Sequence, residues 1–219
     1  MIGAFGSFGR EIGNTTTASP TLYLHGHISS RFSKLSSPIS GSNKKAQHWE
    51  EDGFPGLPVC VCATHMDGLV LALTPFNHSV NYRSAVVHGY ASLVSDIEEK
   101  NYALNLIMEN VIPERWANTR VPITEAEAKA TGVVKVDVVS ASAKVRAYTA
   151  TNDKPDLEDE AVREKVWTGV IPAYIKYGEP VPARENSVNS VPPYATKWIE
   201  ETNRKGEGYS REISLLPKP

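Results

Sequence analysis

The sequence is poor in cysteine and has no long apolar run, and each lack excludes a class of protein. Cys60 and Cys62 are the only cysteines among 219 residues, too few for a disulfide-stabilised secreted domain. No run approaches the roughly 20 apolar residues that span a bilayer, and residues 1–10 lack the features of a signal peptide. We therefore expect a cytoplasmic protein with no membrane partner and with both thiols buried in its core.

An excess of positive charge is also missing. Lysine and arginine together number 23 against 25 acidic residues, whereas a nucleic-acid-binding protein concentrates positive charge to displace counterions from phosphates. We expect no nucleic-acid partner. The hydrophobic content of 41% supports a real core. Without internal repeats or a linker, the chain is predicted to be a single domain over residues 1–219, with a long surface loop at 36–52 and a loose tail at 204–219.

Strand patterns dominate the first two-thirds of the chain. They cover residues 21–25, 57–64, 69–73, 82–94 and 132–148, the last of these read as one strand or as two joined at 140–142. Asp67-Gly68 predicts a hairpin turn, and the two-sided apolar character of 57–64 predicts a strand covered on both faces. Helical patterns cover residues 97–111, 124–130, 157–167 and 193–203. The prediction is a mainly β fold with inserted helices, an antiparallel barrel or sandwich.

Three segments carry polar groups that could bind a ligand. Residues 25–31 join a strand end to hydroxyls and a guanidinium, which suit a phosphate or, alternatively, a helix N-cap with a solvated arginine. Residues 76–84 gather Asn, Ser, Tyr and Arg side chains before a strand, as a binding edge or as an ordinary hydrogen-bonded loop. Trp167 precedes a Gly/Pro turn, where it is a ligand platform or part of the core.

Together these segments resemble a known family. Residues 22–26, Arg31, Leu35, 65–71 and 78–89 are similar to the pyridoxamine 5′-phosphate oxidase-related flavin-nucleotide-binding proteins, nearest the branch of the nitroimidazole-resistance reductases. The resemblance runs from about residue 21 to 172, and His-Ser-x-Asn-Tyr-Arg-Ser at 78–84 is its most specific part. It implies an antiparallel split β-barrel that forms a homodimer and binds FMN in the cleft between protomers.

The resemblance also implies roles for single residues. Ser29 and Arg31 resemble the family's phosphate-binding Ser and Lys, and Arg83 and Ser84 resemble the Arg-Gln pair that touches the phosphate and the flavin ring. The predicted cofactor-binding residues are Ser29, Arg31, Asn81, Tyr82, Arg83, Ser84 and Trp167. His25, at a strand end beside the phosphate turn, is the predicted proton donor. The histidines lack the spacing of metal ligands, so no metal site is expected.

Two departures from the family limit the functional prediction. The Arg-x-His substrate element of the true oxidases is missing from residues 208–213, so classical pyridoxamine 5′-phosphate oxidase activity is not expected. Residues 1–9 resemble the family's second strand, which predicts a barrel without its first strand and with an edge to cover. The hypothesis is an FMN-dependent oxidoreductase acting on an unidentified small substrate. The alternatives are a non-catalytic flavin or ligand carrier, and a degenerate barrel that has lost flavin and serves another reaction.

Overall fold

The computed structural model describes residues 1–9, 20–37, 53 and 55–219, and it divides into two compact units. The first comprises Met1–Val61 and Val86–Ala141, and the second Cys62–Ala85 and Ser142–Pro219. The strands are β1 (Ile2–Gly6), β2 (Thr21–His27), β3 (Leu57–Leu71), β4 (Ser79–Leu93), β5 (Thr131–Arg146) and β6 (Gly169–Pro172). The helices are α1 (Arg31–Leu35), a 3₁₀ turn (Pro75–Asn77), α2 (Ile97–Val111), α3 (Glu125–Ala130), α4 (Lys154–Glu158), α5 (Glu160–Lys165) and α6 (Pro193–Ile213).

The six strands form one sheet in the order β1-β2-β5-β4-β3-β6. Its pairs β1–β2, β2–β5 and β3–β6 are antiparallel. Among the described residues β1 and β6 are the two edge strands, each with one neighbour, so the sheet does not close into a complete barrel. The predicted fold class, a mainly antiparallel β structure with inserted helices, is confirmed.

The core of the first unit lies where α2 packs on β1 and β2. Buried Tyr23 and Val133 from the sheet meet Ala103 and Ile107 from the helix. The pattern that predicted a helix over residues 97–111 matches α2 at both ends, with Asp96 as its N-cap. The capping box predicted at Thr124 and Glu127 is also present, and it opens α3.

The turn predicted at Asp67-Gly68 is wrong. Both residues lie inside β3, which continues without a break to Leu71. The glycine serves a close approach between strands instead. A Cβ atom on Gly68 would lie 2.9 Å from the Val170 side chain and 3.1 Å from the carbonyl oxygen of Ile171. A glycine in a strand interior often marks such a contact, and the dipeptide alone cannot distinguish it from a turn.

Two further strands are continuous where the sequence indicated a break. β4 runs through Gly89, where a Cβ atom would overlap the carbonyl oxygen of Asp137. β5 runs through residues 140–142 as one strand, which decides between the two readings of that segment. In both places a small residue that resembles a break sits within a continuous strand.

The predicted burial of residues 57–63 on both faces is wrong for this chain. Cys60 and Cys62 are exposed, and so are Pro58 and Ala63. The apolar character of this part of β3 therefore exceeds the burial that the described residues of one protomer supply. The described part of the chain contains no helix long and apolar enough to cross a membrane.

The C-terminal region is more ordered than the sequence indicated. α6 extends ten residues past the predicted end at 203, so the loose tail predicted from residue 204 is wrong over 204–213. Ser210, Ile213 and Ser214 are buried there. The helix predicted at 157–167 is instead the two short helices α4 and α5, which Asp159 separates. Of the predicted loop at 36–52, residues 38–52 lie outside the described residues.

Candidate functional site

Neighbouring segments of three strands line an open groove of about 350 Å³ in the second unit. Its lining residues are Ala63, Thr64, His65, Arg83, Ser84, Ala85, Ala143 and Val145. Three of these eight are alanines, whose short side chains leave room for a flat group close to the strands. Arg83 and Ser84, which the sequence predicted as a pair of cofactor contacts, both line this groove.

Arg83 is held on two sides. Its Nε and Nη2 atoms donate to the two carboxylate oxygens of Asp67 at 2.9 and 2.7 Å, and the guanidinium carbon lies 4.3 Å from the centre of the Tyr209 ring. The hydrogen bond to Asp67 raises the pKa of Arg83 above its already high usual value. Of the five N–H donors of a guanidinium, two bond Asp67, so three remain.

The burial of Asp67 explains why Arg83 is held in this position. Its side chain is 4% exposed while that of Arg83 is 46% exposed, so the carboxylate is the buried partner. A buried carboxylate needs a charge-assisted partner to offset its desolvation. The backbone also fixes Asp67, since its carbonyl accepts a 3.0 Å hydrogen bond from the N–H of Ala173. The exposed arginine is therefore anchored to a buried residue inside β3.

Hydroxyl and aromatic groups flank Arg83 along β4. Ser84 accepts a weak 3.4 Å hydrogen bond from the Thr64 hydroxyl. Tyr82 is half-buried, and the ammonium nitrogen of Lys144 lies 5.9 Å from its ring centre. Thr64 and Ser84 line the groove, where their hydroxyls offer donors and acceptors beside the guanidinium.

Asn81, another predicted cofactor contact, is fully buried. Its Oδ1 accepts a short hydrogen bond from Arg146 and a 3.4 Å one from the Tyr148 N–H. Its Nδ2 has no hydrogen-bond partner among the described residues. The guanidinium of Arg146 also stacks 4.0 Å from the Tyr148 ring centre. Asn81 thus ties β4 to the end of β5, and a contact with a ligand stays a prediction.

Trp167 is 64% exposed, so it is not a core residue of this protomer. Its ring lies against Gly169, whose φ of 156° and lack of a side chain admit the indole. A Cβ atom on Gly169 would come within 2.7 Å of the ring. The indole therefore packs against Gly169 while much of its surface stays exposed, as a stacking platform requires.

The other predicted phosphate residues lie in the first unit. Ser29 is exposed, and its hydroxyl lies 2.6 Å from Nδ1 of His27. Ser30 caps α1 by accepting from the N–H of Ser33 at 3.1 Å. Arg31 is the exposed first residue of that helix. The turn therefore has the strand-to-helix geometry that the sequence predicted, with both Ser29 and Arg31 on its surface.

His25, the predicted proton donor, lies in β2 opposite Ile2 of β1 and Val133 of β5. The residue is half-buried, and its Nδ1 is buried without a hydrogen-bond partner in the parts of the chain that the structure describes. A buried ring nitrogen with no partner is unusual.

Two residues of this site were missed in the sequence. Asp67 was taken for a turn residue and Tyr209 for part of a loose tail, yet both contact Arg83. For Asp67, the available signal was an acid within an apolar strand sixteen residues before an arginine on the next strand. For Tyr209, it was the helical spacing of apolar side chains at 198, 199, 209 and 213.

The chain is similar to a known protein family and to solved structures. The profile of the family described as Pyridoxamine 5′-phosphate oxidase matches residues 14–145. The solved structure of the flavocytochrome Anf3 from Azotobacter vinelandii is similar at 25% identity and a TM-score of 0.64, over 90% of this chain and 83% of that one. The FAD and heme binding protein from Mycobacterium smegmatis is similar in fold, at 24% identity and a TM-score of 0.63, over 88% and 79%. No curated protein matches the sequence.

Proposed function

The chain belongs to the pyridoxamine 5′-phosphate oxidase family, and we propose that it is a homodimeric cytoplasmic flavoprotein that binds FMN and acts as an oxidoreductase on a small substrate. The observation that carries this proposal is the position of Arg83. Asp67 fixes its guanidinium at the groove, and three of its N–H donors are not used by Asp67. A flavin bound there would supply the electron transfer. The protein residues bind the nucleotide, orient its ring and limit access to it.

The residues of the groove suit a flavin nucleotide. Ala63, Ala85 and Ala143 offer a flat apolar surface for a ring, and the Ser84 and Thr64 hydroxyls can bond its polar edge. Arg83 can donate two parallel hydrogen bonds to a phosphate, the geometry for which arginine is best suited. Ser29 and Arg31 are proposed as phosphate contacts, Tyr82 and Trp167 as ring contacts, and His25 as a proton donor to the substrate.

FMN is proposed rather than FAD. The sequence has a Ser/Arg turn suited to a single phosphate and no Gly-x-Gly-x-x-Gly loop for a pyrophosphate. Two similar structures are described as a flavocytochrome and as an FAD and heme binding protein. The test therefore covers FAD as an alternative flavin and heme as an additional cofactor. Calorimetry of the purified protein should show one FMN per protomer, bound more tightly than FAD. Equal or tighter binding of FAD would contradict this choice, and a Soret band would reveal heme.

The dimer is proposed because a set of apolar side chains is exposed to solvent in a single protomer. Met66 and Leu69 on β3 are 50% and 41% exposed, and Val139 and Val145 on β5 are 66% and 59% exposed. Exposed apolar surface of this kind often marks a protein interface, and a second copy of the chain would cover it in a symmetric dimer. Sedimentation at micromolar concentration should give a dimer. A stable monomer that binds FMN would contradict both the dimer and a site shared between protomers.

The catalytic part of the proposal needs its own test. Reconstituted holoprotein should oxidise NADH or NADPH in the presence of an electron acceptor, at a rate that the apoprotein does not reach. A holoprotein that keeps its flavin but oxidises neither would favour a carrier without turnover for these reductants. A colourless protein that takes up no flavin would favour a barrel that serves another reaction.

A further inference from the structure

The groove arginine has a support that the family profile does not include. The profile ends at residue 145, whereas Tyr209, which covers one face of Arg83, lies on α6. Asp67 supports the same side chain at its edge, because it is the buried acceptor of both hydrogen bonds that fix the guanidinium plane. A bidentate pair and a stacked ring together define the position of a side chain that is nearly half exposed.

We propose that Asp67 and Tyr209 are positioning residues for phosphate recognition: they fix the Arg83 guanidinium so that its three remaining N–H donors meet the flavin phosphate in one orientation. This inference rests on the proposed function. A free arginine side chain loses rotamer entropy when it binds a ligand. Because Asp67 and Tyr209 have already ordered the side chain in the folded protein, that loss does not weaken the binding of the nucleotide.

The ion pair of Asp67 and Arg83 also determines how the site selects a phosphate. Asp67 balances the charge of Arg83, so the pair carries no net charge, and the phosphate is selected mainly by the direction of the N–H groups. An arginine without its acid would attract anions through its charge, an effect that salt screens. The binding of FMN by the wild-type protein should therefore depend less on ionic strength than binding by a variant that lacks the Asp67 charge.

The test compares FMN with riboflavin, which lacks the phosphate, in Asp67→Asn, Tyr209→Leu and Tyr209→Phe. At an ionic strength that screens the unbalanced charge of Arg83, Asp67→Asn should weaken FMN about tenfold or more, and Tyr209→Leu about two- to fivefold, while riboflavin changes less than about twofold in both. Tyr209→Phe keeps the ring and should restore most of the FMN affinity. Arg211→Ala is the matched control, since it removes an exposed arginine that pairs with Glu207 on the same helix.

The outcomes separate the possible failures. A ratio of FMN to riboflavin affinity that stays at the wild-type value or rises in Asp67→Asn overturns the positioning role while leaving flavin binding intact. Equal losses for both ligands, with a lower melting temperature, would mean that these residues act only through the fold. Tyr209→Leu covers the case in which Asp67→Asn does not fold. Wild-type protein that binds neither ligand overturns the proposed function and the inference together.

Discussion

The phenol of Tyr23 donates a 2.9 Å hydrogen bond to the carboxylate of Glu99 and so joins β2 to the first turn of α2. Glu99 also pairs with Lys135 on β5 at 3.1 Å. Tyr23 is among the largest fully buried side chains described, and its ring meets Tyr102 edge-on at 6.0 Å. This hydrogen bond satisfies the hydroxyl of a tyrosine whose ring is packed in the core of the first unit.

Tyr23→Phe keeps the ring and removes the hydroxyl. We expect it to lower the free energy of unfolding by about 1.5–3 kcal/mol, the range for a hydrogen bond to a charged group. Urea denaturation measures the change. Tyr177→Phe is the control, because Tyr177 is exposed and its ring contact with Trp198 survives the substitution. A shift in Tyr177→Phe as large as that in Tyr23→Phe would contradict the assignment.

The same hydroxyl makes stability depend on alkaline pH. Burial and the hydrogen bond to Glu99 raise the pKa of Tyr23 well above its usual value, which is near 10. The folded state therefore keeps a proton that the unfolded state loses. The contribution of Tyr23 is fully present below about pH 10 and declines as the pH rises above it. The difference in unfolding free energy between the wild type and Tyr23→Phe should narrow above pH 10 and stay constant between pH 7 and 9.

The sequence predicted the elements whose signals are local. α2 was located by its apolar periodicity and α3 by the capping box at Thr124 and Glu127, because a helix satisfies its backbone within one segment. The family resemblance rested on several segments, of which residues 78–84 are the most specific, and the match over residues 14–145 confirms it.

What the sequence missed depends on contacts between distant segments. Gly68 and Gly89 were taken for signs of a turn or a break, yet each admits backbone from another strand. Asp67 was predicted to be a turn residue because Gly68 follows it, whereas its role depends on Arg83, sixteen residues further on. Tyr209 was left in a tail because the glycines at 206 and 208 weaken the helical signal. In each case tertiary contact outweighs the local preference.

Removal of the groove arginine should affect ligand binding and stability together. We expect Arg83→Ala to weaken FMN by about 1.5–3 kcal/mol, the scale of a charge-assisted hydrogen bond, and to lower stability because the buried Asp67 carboxylate loses its partner. Arg31→Ala should weaken FMN to a similar degree without the loss of stability, since Arg31 is exposed at the start of α1. Calorimetric titration with FMN and riboflavin, paired with urea denaturation, tests both. Equal losses for the two ligands would mean that the arginines do not bind phosphate.

Arg120, together with the capping box of α3, should set the titration of Glu127. A hydrogen bond from Arg120, with further ones from the backbone and hydroxyl of Thr124, lowers the pKa of Glu127 from about 4.5 to about 2. Its contribution to stability is present above about pH 4.5 and is lost as the pH falls towards 2. Carboxyl NMR titration should show the low pKa in the wild type and a higher one in Arg120→Gln. Lys129→Gln, which removes an exposed cation paired with Glu125, should leave the titration of Glu127 unchanged.

Gly89→Ala tests the close approach of β4 and β5. The new methyl group would overlap the carbonyl oxygen of Asp137, a backbone atom that cannot rotate away. We expect a loss of about 1–3 kcal/mol or more in the free energy of unfolding. Gly208→Ala is the matched control: apart from the adjacent residues and the backbone of its own helix, no atom lies within 4 Å of its Cβ position in α6, so the change should stabilise the helix by up to about 1 kcal/mol. The two variants make the same chemical change with opposite expected signs. A neutral result for Gly89→Ala would mean that the strands can separate there at little cost.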